Sequence, residues 1–394
     1  MNATVIVSSI GVIFTASSAT MIFPFLPLYL LELGCTEDNV SLWASVVTAG
    51  TFLTASIVMP WWGALADRLG RKKMMLRSSG CVAAAYLLGS AVMSPLQLLG
   101  VRIFQGFSFG FLSSGQALVS ASAGKKAGRA LGFFLAGRSA GTVMGPFIGG
   151  MLAHYAGIRT SFLLAGCGAA FAFLLILFFV KEPPMKKTRT KQGLFASFRI
   201  LRHNDEYLHL LGLTVINQTA LLIINPVIAI HIGHLAGSMD NASMLSGLIL
   251  GAGGAAGMIT SPLWGYFGEK KGFYRAMCLC FLGDGIFTVS QFFAGTVLVF
   301  GILQFFYGLF LIGGMVTITG AISSCTDPSM RGSAFGITST AMNAGNFLGP
   351  VIGGFVSTMF GISAIFLAAG IVQLAAGLFI WKQYGAEIRS GQPK

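Results

Sequence analysis

Acidic residues are scarce in this chain. Only 12 of its 394 residues are Asp or Glu, and charged residues of both signs make up 9%. A soluble domain carries roughly a quarter charged residues, so no part of this length reads as one. Histidine is thin as well, at five residues, and cysteine at six. Cys81, Cys167, Cys278 and Cys280 fall inside apolar runs, while Cys35 and Cys325 lie near opposite ends of such runs. That scatter argues against a disulfide framework and against a metal site. No Gly-x-x-x-x-Gly-Lys-Ser/Thr loop occurs, which argues against an ATP-driven pump. A membrane enzyme would need His, Asp, Glu or Cys clustered near one face, and no such cluster is visible. No enzyme and no cofactor are expected. No basic segment precedes the first apolar run, so that run is expected to be retained as a membrane span rather than cleaved.

What the chain has is apolar length. Hydrophobic residues make up 55% of it, and mean hydropathy is +0.79. About 20 apolar residues cross a bilayer as a helix. Runs of that kind recur at roughly 4–33, 41–66, 74–93, 96–122, 129–153, 160–180, 207–235, 243–267, 274–294, 296–324, 332–357 and 362–382. Twelve spans predict an all-α polytopic membrane protein with two six-helix bundles. The organisation read from them is an N-terminal bundle over 1–180, a cytoplasmic linker over 181–206, and a C-terminal bundle over 207–394 that ends in a short cytoplasmic tail. The linker carries Pro183-Pro184 and then Lys186, Lys187, Arg189 and Lys191. Segment 194–202 has the pattern of a short amphipathic helix on the membrane surface.

Lys and Arg outnumber Asp and Glu by 25 to 12, for a net charge of +13. Their positions argue against nucleic acid. Twenty-two of the 25 fall at 68–77, 125–129, 181–202, 270–275, 331 and 382–394, all on one side if the spans alternate. The other side has only Arg159, and Arg102 and Arg138 lie within spans. This positive-inside bias predicts a multi-pass protein of the plasma membrane, a bacterial inner membrane, with both termini cytoplasmic. The basic surface then faces anionic lipid headgroups. A monomer is expected.

One element is written twice. Pro60, Trp62, Gly63, Asp67, Arg68, Gly70 and Met75 are matched by Pro262, Trp264, Gly265, Glu269, Lys270, Gly272 and Met277, all 202 residues apart. Gly106 matches Gly308 and Arg129 matches Arg331 at the same offset. Gly141, Gly145, Pro146, Gly149 and Gly150 are matched by Gly345, Gly349, Pro350, Gly353 and Gly354 at 204. Six spans per copy in the same orientation predict halves related by an axis along the membrane normal. Such repeats point to a transporter with its substrate site between the halves.

At these residues the chain resembles the major facilitator superfamily. Gly63-x-x-x-Asp67-Arg68-x-Gly70-Arg71-Lys72 is similar to that family's signature between the second and third helices. Arg102-x-x-Gln105-Gly106 resembles the fourth-helix signature of its drug:proton antiporters, and Gly141 to Gly150 resembles their fifth-helix motif. Pro24-x-x-Pro27 fits the first-helix pattern. The resemblance covers essentially the whole chain and is greatest to the twelve-span bacterial multidrug exporters. It implies export of small amphiphilic compounds, coupled to proton influx by rocker-switch alternating access. A specific metabolite such as a siderophore or sugar is the alternative cargo, and a non-transporting receptor or enzyme on a similar scaffold is a further alternative. The chain departs from several cation exporters, which carry a carboxylate deep in the first helix. Here that helix offers only Thr15, Ser17, Ser18 and Thr20 at depth, with Glu32 at its outer end.

Candidate site residues follow. Gly63, Asp67, Arg68, Gly70, Arg71 and Lys72, with Glu269 and Lys270 in the second copy, are expected to form a cytoplasmic gate, with charges that pair across to the other half. A solvated topology signal would explain the basic residues but not Asp67 or the glycine spacing. Arg102 lies about six residues inside its span, where a buried cation is costly. The resemblance implies that it serves proton coupling together with Gln105. Its counterpart is the neutral Gln304. Arg138, near the middle of the fifth span, is a candidate substrate or carboxylate partner, and its counterpart is Met342. Asp284, between Gly283 and Gly285, is the only carboxylate near the midplane. Burial favours the uncharged form of a carboxyl group, so Asp284 is a candidate proton carrier, with Glu32 as the second and Asp67 as the third. A purely structural Asp284 is the other reading. By resemblance the cavity is lined from spans one, four, seven and ten, with Ser108, Ser114, Gln116, Asn217, Gln218, Asn225, Gln304 and Tyr307 as polar candidates and Met144 on span five. The Gly-Pro motifs of spans five and eleven are expected to pack helices closely. His231 and His234 share a helix face at the outer end of span seven and are expected to be plain interfacial residues. With two deep arginines against one deep carboxylate, neutral or anionic amphiphiles suit the cavity better than dications. No metal site is expected.

Overall fold

Inside a bilayer a backbone can satisfy its polar groups only within itself, and for a chain of this composition that means helices. The computed structural model describes residues 3–123, 127–182, 204–239, 241–327, 330–385 and 388, without the side chains at 60, 63, 64, 66–68, 127, 128, 331 and 332. Among these residues every regular element is helical. The linker expected over 181–206, with its amphipathic segment 194–202, falls almost wholly outside them.

The first repeat contains α1 (Ala3–Met21), α2 (Leu26–Glu32), α3 (Glu37–Leu69), α4 (Arg71–Ala91), α5 (Pro95–Gly106), α6 (Phe111–Ala123), α7 (Ala127–Ala156) and α8 (Ile158–Phe179). The second contains α9 (Asp205–Ile224), α10 (Ile228–Ala236), α11 (Ala242–Lys271), α12 (Phe273–Phe292), α13 (Val297–Cys325), α14 (Arg331–Phe360) and α15 (Ala364–Gln383). These make twelve membrane-crossing segments, because α1–α2, α5–α6 and α9–α10 are each one span broken in the middle. Eight segments qualify as spans by length and composition alone. The other four are α4, with its basic first turns, the interrupted α5–α6, and the glycine-rich α7 and α14.

Each break has a local cause. Between α1 and α2 a 3-10 turn, Phe23–Phe25, holds Pro24, and between α9 and α10 lies Pro226. Proline lacks the amide proton that the helix needs and crowds the preceding turn. Pro24 and Pro226 are 202 apart, a pair of the repeat that the sequence reading passed over. The break between α5 and α6 has no proline. There the chain turns at Phe107–Gly110, and Gly110 takes a φ of +113°, which only glycine adopts readily.

The repeat is visible in backbone contacts. Gly141, Gly145 and Gly149 of α7 lie bare against the carbonyls of Ile13, Ser17 and Met21 on α1. Gly345, Gly349 and Gly353 of α14 lie against the carbonyls of Val215, Thr219 and Ile223 on α9. Each glycine is 204 from its mate and each carbonyl 202. A Cβ at these positions would overlap the facing backbone, so small residues set the helix spacing, as expected of this motif.

The chain forms two compact units, Met1–Lys187 with Pro226–Gly251 and Thr188–Asn225 with Ala252–Lys394. In the first, α7 and α8 pack on α1, α4 packs on α8 and α6, and α5 packs on α3. Val12, Met75, Leu118, Phe134 and Ile176 form an apolar core there. This unit also takes in α10, which packs on α2 and the 3-10 turn, and the start of α11, where Gly247 meets Gly150 backbone to backbone. In the second, α14 packs on α9, and α15 and α13 pack on α12. Its core includes Tyr207, Phe281, Ile318 and Ile380. The units therefore do not coincide with the repeat halves. The bare Gly150–Gly247 contact holds the start of α11 to the first unit.

Candidate functional site

The hairpin between α3 and α4 begins with side chains outside the described set: Gly63, Asp67 and Arg68. Beyond them Gly70 turns at a φ of +101° and starts α4. The first amides of α4 donate to one carboxylate, Arg71 N to Glu182 Oε1 at 2.5 Å and Lys72 N to Glu182 Oε2 at 3.3 Å. A Cβ at Gly70 would strike that carboxylate. Unpaired amides and the helix dipole favour an anion at a helix N-terminus. Arg71 Nη1 donates to the Ala117 carbonyl at 2.6 Å and Lys72 Nζ to the Leu177 carbonyl at 2.9 Å. Both cations thus bond to carbonyls of the first unit. Glu182 lies at the start of the segment expected to be linker, and its partners lie more than a hundred positions away in sequence. In the second copy Gly272 also turns, at +91°. Phe273 there packs on Gly268 and Gly320. Tyr274 donates to Glu206 Oε1 at 2.5 Å and stacks on Tyr384 at 3.9 Å between centroids. Glu269 and Lys270 are exposed, with Lys270 Nζ 5.7 Å from the Tyr266 ring centroid.

Arg102 is 2% exposed, a buried cation in α5. Its Nη1 donates to Gln105 Oε1 at 2.7 Å, and Gln105 Nε2 donates to Tyr86 Oη at 2.8 Å. Tyr86 Oη in turn donates to the Ala19 carbonyl at 3.2 Å. The guanidinium carbon lies 5.8 Å from the Tyr86 ring centroid and 5.6 Å from that of Phe162. Its Nε and Nη2 have no hydrogen-bond partner among the described residues. Neutral oxygens and aromatic faces surround this charge.

Asp284 is 4% exposed in α12. Thr288 Oγ1 donates to its Oδ1 at 3.2 Å, and Gln373 Nε2 of α15 donates to its Oδ2 at 3.2 Å. Gln373 Nε2 also reaches Asn217 Oδ1 of α9 at 3.5 Å. Gln373 Oε1 is buried without a partner among the described residues. Next to this group Gln291 Nε2 donates to Gln304 Oε1 at 2.7 Å. The two clusters occupy the same place in the repeat, since Tyr86, Arg102 and Gln105 correspond at offset 202 to Thr288, Gln304 and Tyr307. That correspondence was available in the sequence for Tyr86. Gln373 and Gln291 carried no signal beyond being polar in an apolar helix.

The residues expected on the cavity wall differ in exposure in this structure. Ser108, Ser114, Asn217, Gln304 and Tyr307 are all buried. A polar side chain inside an apolar bundle is satisfied by its polar neighbours before it is exposed, and Asn217 and Gln304 bond within helix seams as described. Gln116, Gln218 and Asn225 are half-buried, and Asn225 Nδ2 donates to the Leu221 carbonyl at 3.2 Å. Arg138 and Met144 are exposed on α7, and the Arg138 guanidinium has no bonded partner among the described residues. Glu32 is exposed at the end of α2, and Arg159, on the same side, donates from Nη2 to the Val92 carbonyl at 3.1 Å. His231 is buried in α10 and His234 is exposed. No group of three or more His, Cys, Asp or Glu capable of holding a metal occurs among the described residues.

Comparison with known proteins bears on this arrangement. The family described as the Major Facilitator Superfamily matches residues 8–258 and 210–391. The multidrug resistance protein MdtG of Yersinia enterocolitica is 31% identical over 384 residues, which is 95% of this chain and 91% of that protein. The MdtG of Proteus mirabilis is 32% identical over 382 residues, 94% of this chain and 93% of that one. Among solved structures, a nucleoside transporter, NupG, superposes with a TM-score of 0.81 at 14% identity, covering 97% of this chain and 99% of the other. At that identity the likeness speaks for the fold.

Proposed function

We propose that this chain, which belongs to the major facilitator superfamily, is a secondary active exporter of small amphiphilic organic compounds driven by proton influx. It is a multi-pass membrane transporter and not an enzyme. The export reading rests on its similarity to proteins named for multidrug resistance and on the glycine seam of α7. The observation that carries proton coupling is the bonding of Asp284. A carboxylate clamped by arginine stays ionised, because protonation would strand a buried cation. Asp284 is held instead by a hydroxyl and an amide. Those groups can bond to either form of the acid, so a proton can come and go without breaking an ion pair. Arg102 is held in the same neutral manner by Gln105. Protonation at Asp284 then biases the equilibrium between two transport states, provided the two states differ in affinity for the proton.

The cargo is neutral or anionic in this reading. The exposed Arg138 is a deep cation that lacks a bonded partner among the described residues, and it favours anionic or electron-rich groups over cations. The protein sits in the bacterial inner membrane with both termini cytoplasmic, in keeping with the distribution of Lys and Arg. Its gate is the hairpin at Gly63–Lys72 with its weaker copy at Glu269–Lys270. Efflux from an efflux-deficient strain expressing the protein tests the reading. Chloramphenicol as a neutral probe and deoxycholate as an anionic one are expected to leave the cells faster, and a protonophore is expected to abolish the effect. Export of ethidium alone would contradict the assignment of cargo. Export indifferent to the protonophore would contradict the coupling.

A further inference from the structure

The two copies of the spans that hold the buried charges differ at one backbone carbonyl. In the second repeat α13 runs unbroken from Val297 to Cys325. Its Leu309 carbonyl accepts from Trp264 Nε1 at 2.7 Å and from Thr260 Oγ1 at 2.8 Å, both on α11. The corresponding carbonyl in the first repeat, 202 positions earlier, is that of Phe107. There the helix is broken, and three successive carbonyls leave the helical ladder. Arg77 of α4 donates from Nη1 to the Phe107 carbonyl at 2.5 Å and from Nη2 to the Phe109 carbonyl at 2.6 Å. Its neighbour Ser78 donates to the carbonyl of Ser108 between them. The counterpart of Trp264 is Trp62, whose ring now lies 3.8 Å beneath the Arg77 guanidinium. The Trp62 indole nitrogen has no hydrogen-bond partner among the described residues.

The sequence accounts for the difference. Gly110 takes the φ of +113° that ends the break, and its counterpart is Ile312, which cannot. Arg77 and Ser78 correspond to Leu279 and Cys280. Positive-inside bias gives no reason for a guanidinium turned into a broken helix. Orphan carbonyls in a membrane helix are costly unless rebonded, and Arg77 with Ser78 rebonds all three. The break also lies just after Arg102 and Gln105. Those residues meet Tyr86, which stands on α4 as Arg77 does, about 14 Å along the helix at 1.5 Å per residue. One helix therefore starts at the gate carboxylate Glu182, holds the break, and ends against the coupling residues.

We propose that Arg77 is a positioning residue for coupling: it holds the fourth span open at Phe107–Gly110, and that break sets where Arg102 and Gln105 stand against Tyr86. The inference rests on the reading that Arg102 and Gln105 take part in proton coupling. Two readouts on the full-length protein in lipid test it. They are hydrogen exchange of amides 107–114 and transport of chloramphenicol in proteoliposomes, with and without an imposed pH gradient. Arg77→Leu removes both charge-assisted hydrogen bonds and is expected to raise exchange across 107–114 and to lower gradient-driven transport about tenfold, roughly the worth of one of them. Gradient-independent exchange of chloramphenicol is expected to persist. Arg77→Lys, which keeps the charge but not the fork, recovers only part of the coupled rate. The deciding variant is Arg77→Leu with Gly110→Ala, which favours an unbroken fourth span like α13. It is expected to restore low amide exchange but not gradient-driven transport. If that double variant transports at the wild-type rate, the break has no role in coupling and the proposal fails. Unchanged exchange at 107–114 in Arg77→Leu would overturn the clamp itself. Should Arg77→Leu not fold, Arg77→Lys and Ser78→Ala carry the same two readouts, and wild-type values for both would also overturn it. A wild-type protein without gradient-driven transport would refute the coupling reading instead, and the exchange data would still decide whether Arg77 holds the break.

Discussion

The first and second repeats share a backbone frame and divide the buried charge between them. In the first, the seam of α4 and α5 holds a cation, Arg102, among Gln105, Tyr86 and Phe162. In the second, the matching seam of α12 and α13, together with α15, holds an acid, Asp284, among Thr288 and Gln373. Neither charge has an ion-pair partner among the described residues of its own unit. Duplication fixed where polar groups could sit, and divergence decided their sign. The frame itself tolerated little change, since the glycine-to-carbonyl contacts of α7 on α1 recur three times over in α14 on α9.

The largest expected effect tests that shared frame. Gly145→Val and Gly349→Val each push a branched side chain into a facing carbonyl, and both should destabilise by on the order of 3 kcal/mol. Thermal unfolding in detergent would measure it. A large loss for one and none for the other would break the symmetry of the frame. Next comes the divided chemistry. Arg102→Met should cut proton-driven transport by roughly two orders of magnitude, as expected for a functional intramembrane charge, whereas Gln304→Met should leave it within a few-fold. Equal losses in initial rate would mean that the two seams do the same work. The smallest effects concern the helix starts. Glu182→Gln removes the anion from the N-terminus of α4 and should cost about 1 kcal/mol. Tyr274→Phe removes the bond to Glu206 and should cost about as much. Unfolding midpoints of both variants, read side by side, would show whether the starts of α4 and α12 are equally well tied.

Much of this was legible in the sequence, and the reason is periodicity. Apolar length gave the twelve spans, and the offsets of 202 and 204 gave two like copies. The glycine spacing anticipated the α1–α7 and α9–α14 seams. Arg102, Gln105 and Asp284 stood out because charge and amide groups are rare in apolar runs. What escaped were partners fixed by folding. Glu182 looked like linker charge because its bonds are to the start of α4, far away in the chain. Arg77 was counted among the cytoplasmic cations, since one sequence cannot show a guanidinium turned inward to a broken helix. Pro226, the mate of Pro24 at offset 202, stands apart from the charged hairpin and the glycine motifs that mark the repeat. Which of the polar residues expected on a cavity wall are buried, as Asn217 and Gln304 are, and which are half-buried, as Gln116, Gln218 and Asn225 are, is set by helix packing that the sequence does not show.

The proposal that Asp284 carries the proton that drives export can be tested directly. The direct measurement is chloramphenicol transport by Asp284→Asn in proteoliposomes, compared between an imposed pH gradient and gradient-free exchange. Asparagine keeps the shape and can still bond to Thr288 and Gln373, but it cannot bind and release a proton. Exchange is expected to persist, and the pH gradient is expected no longer to accelerate transport. Gradient-driven transport at the wild-type rate would contradict it.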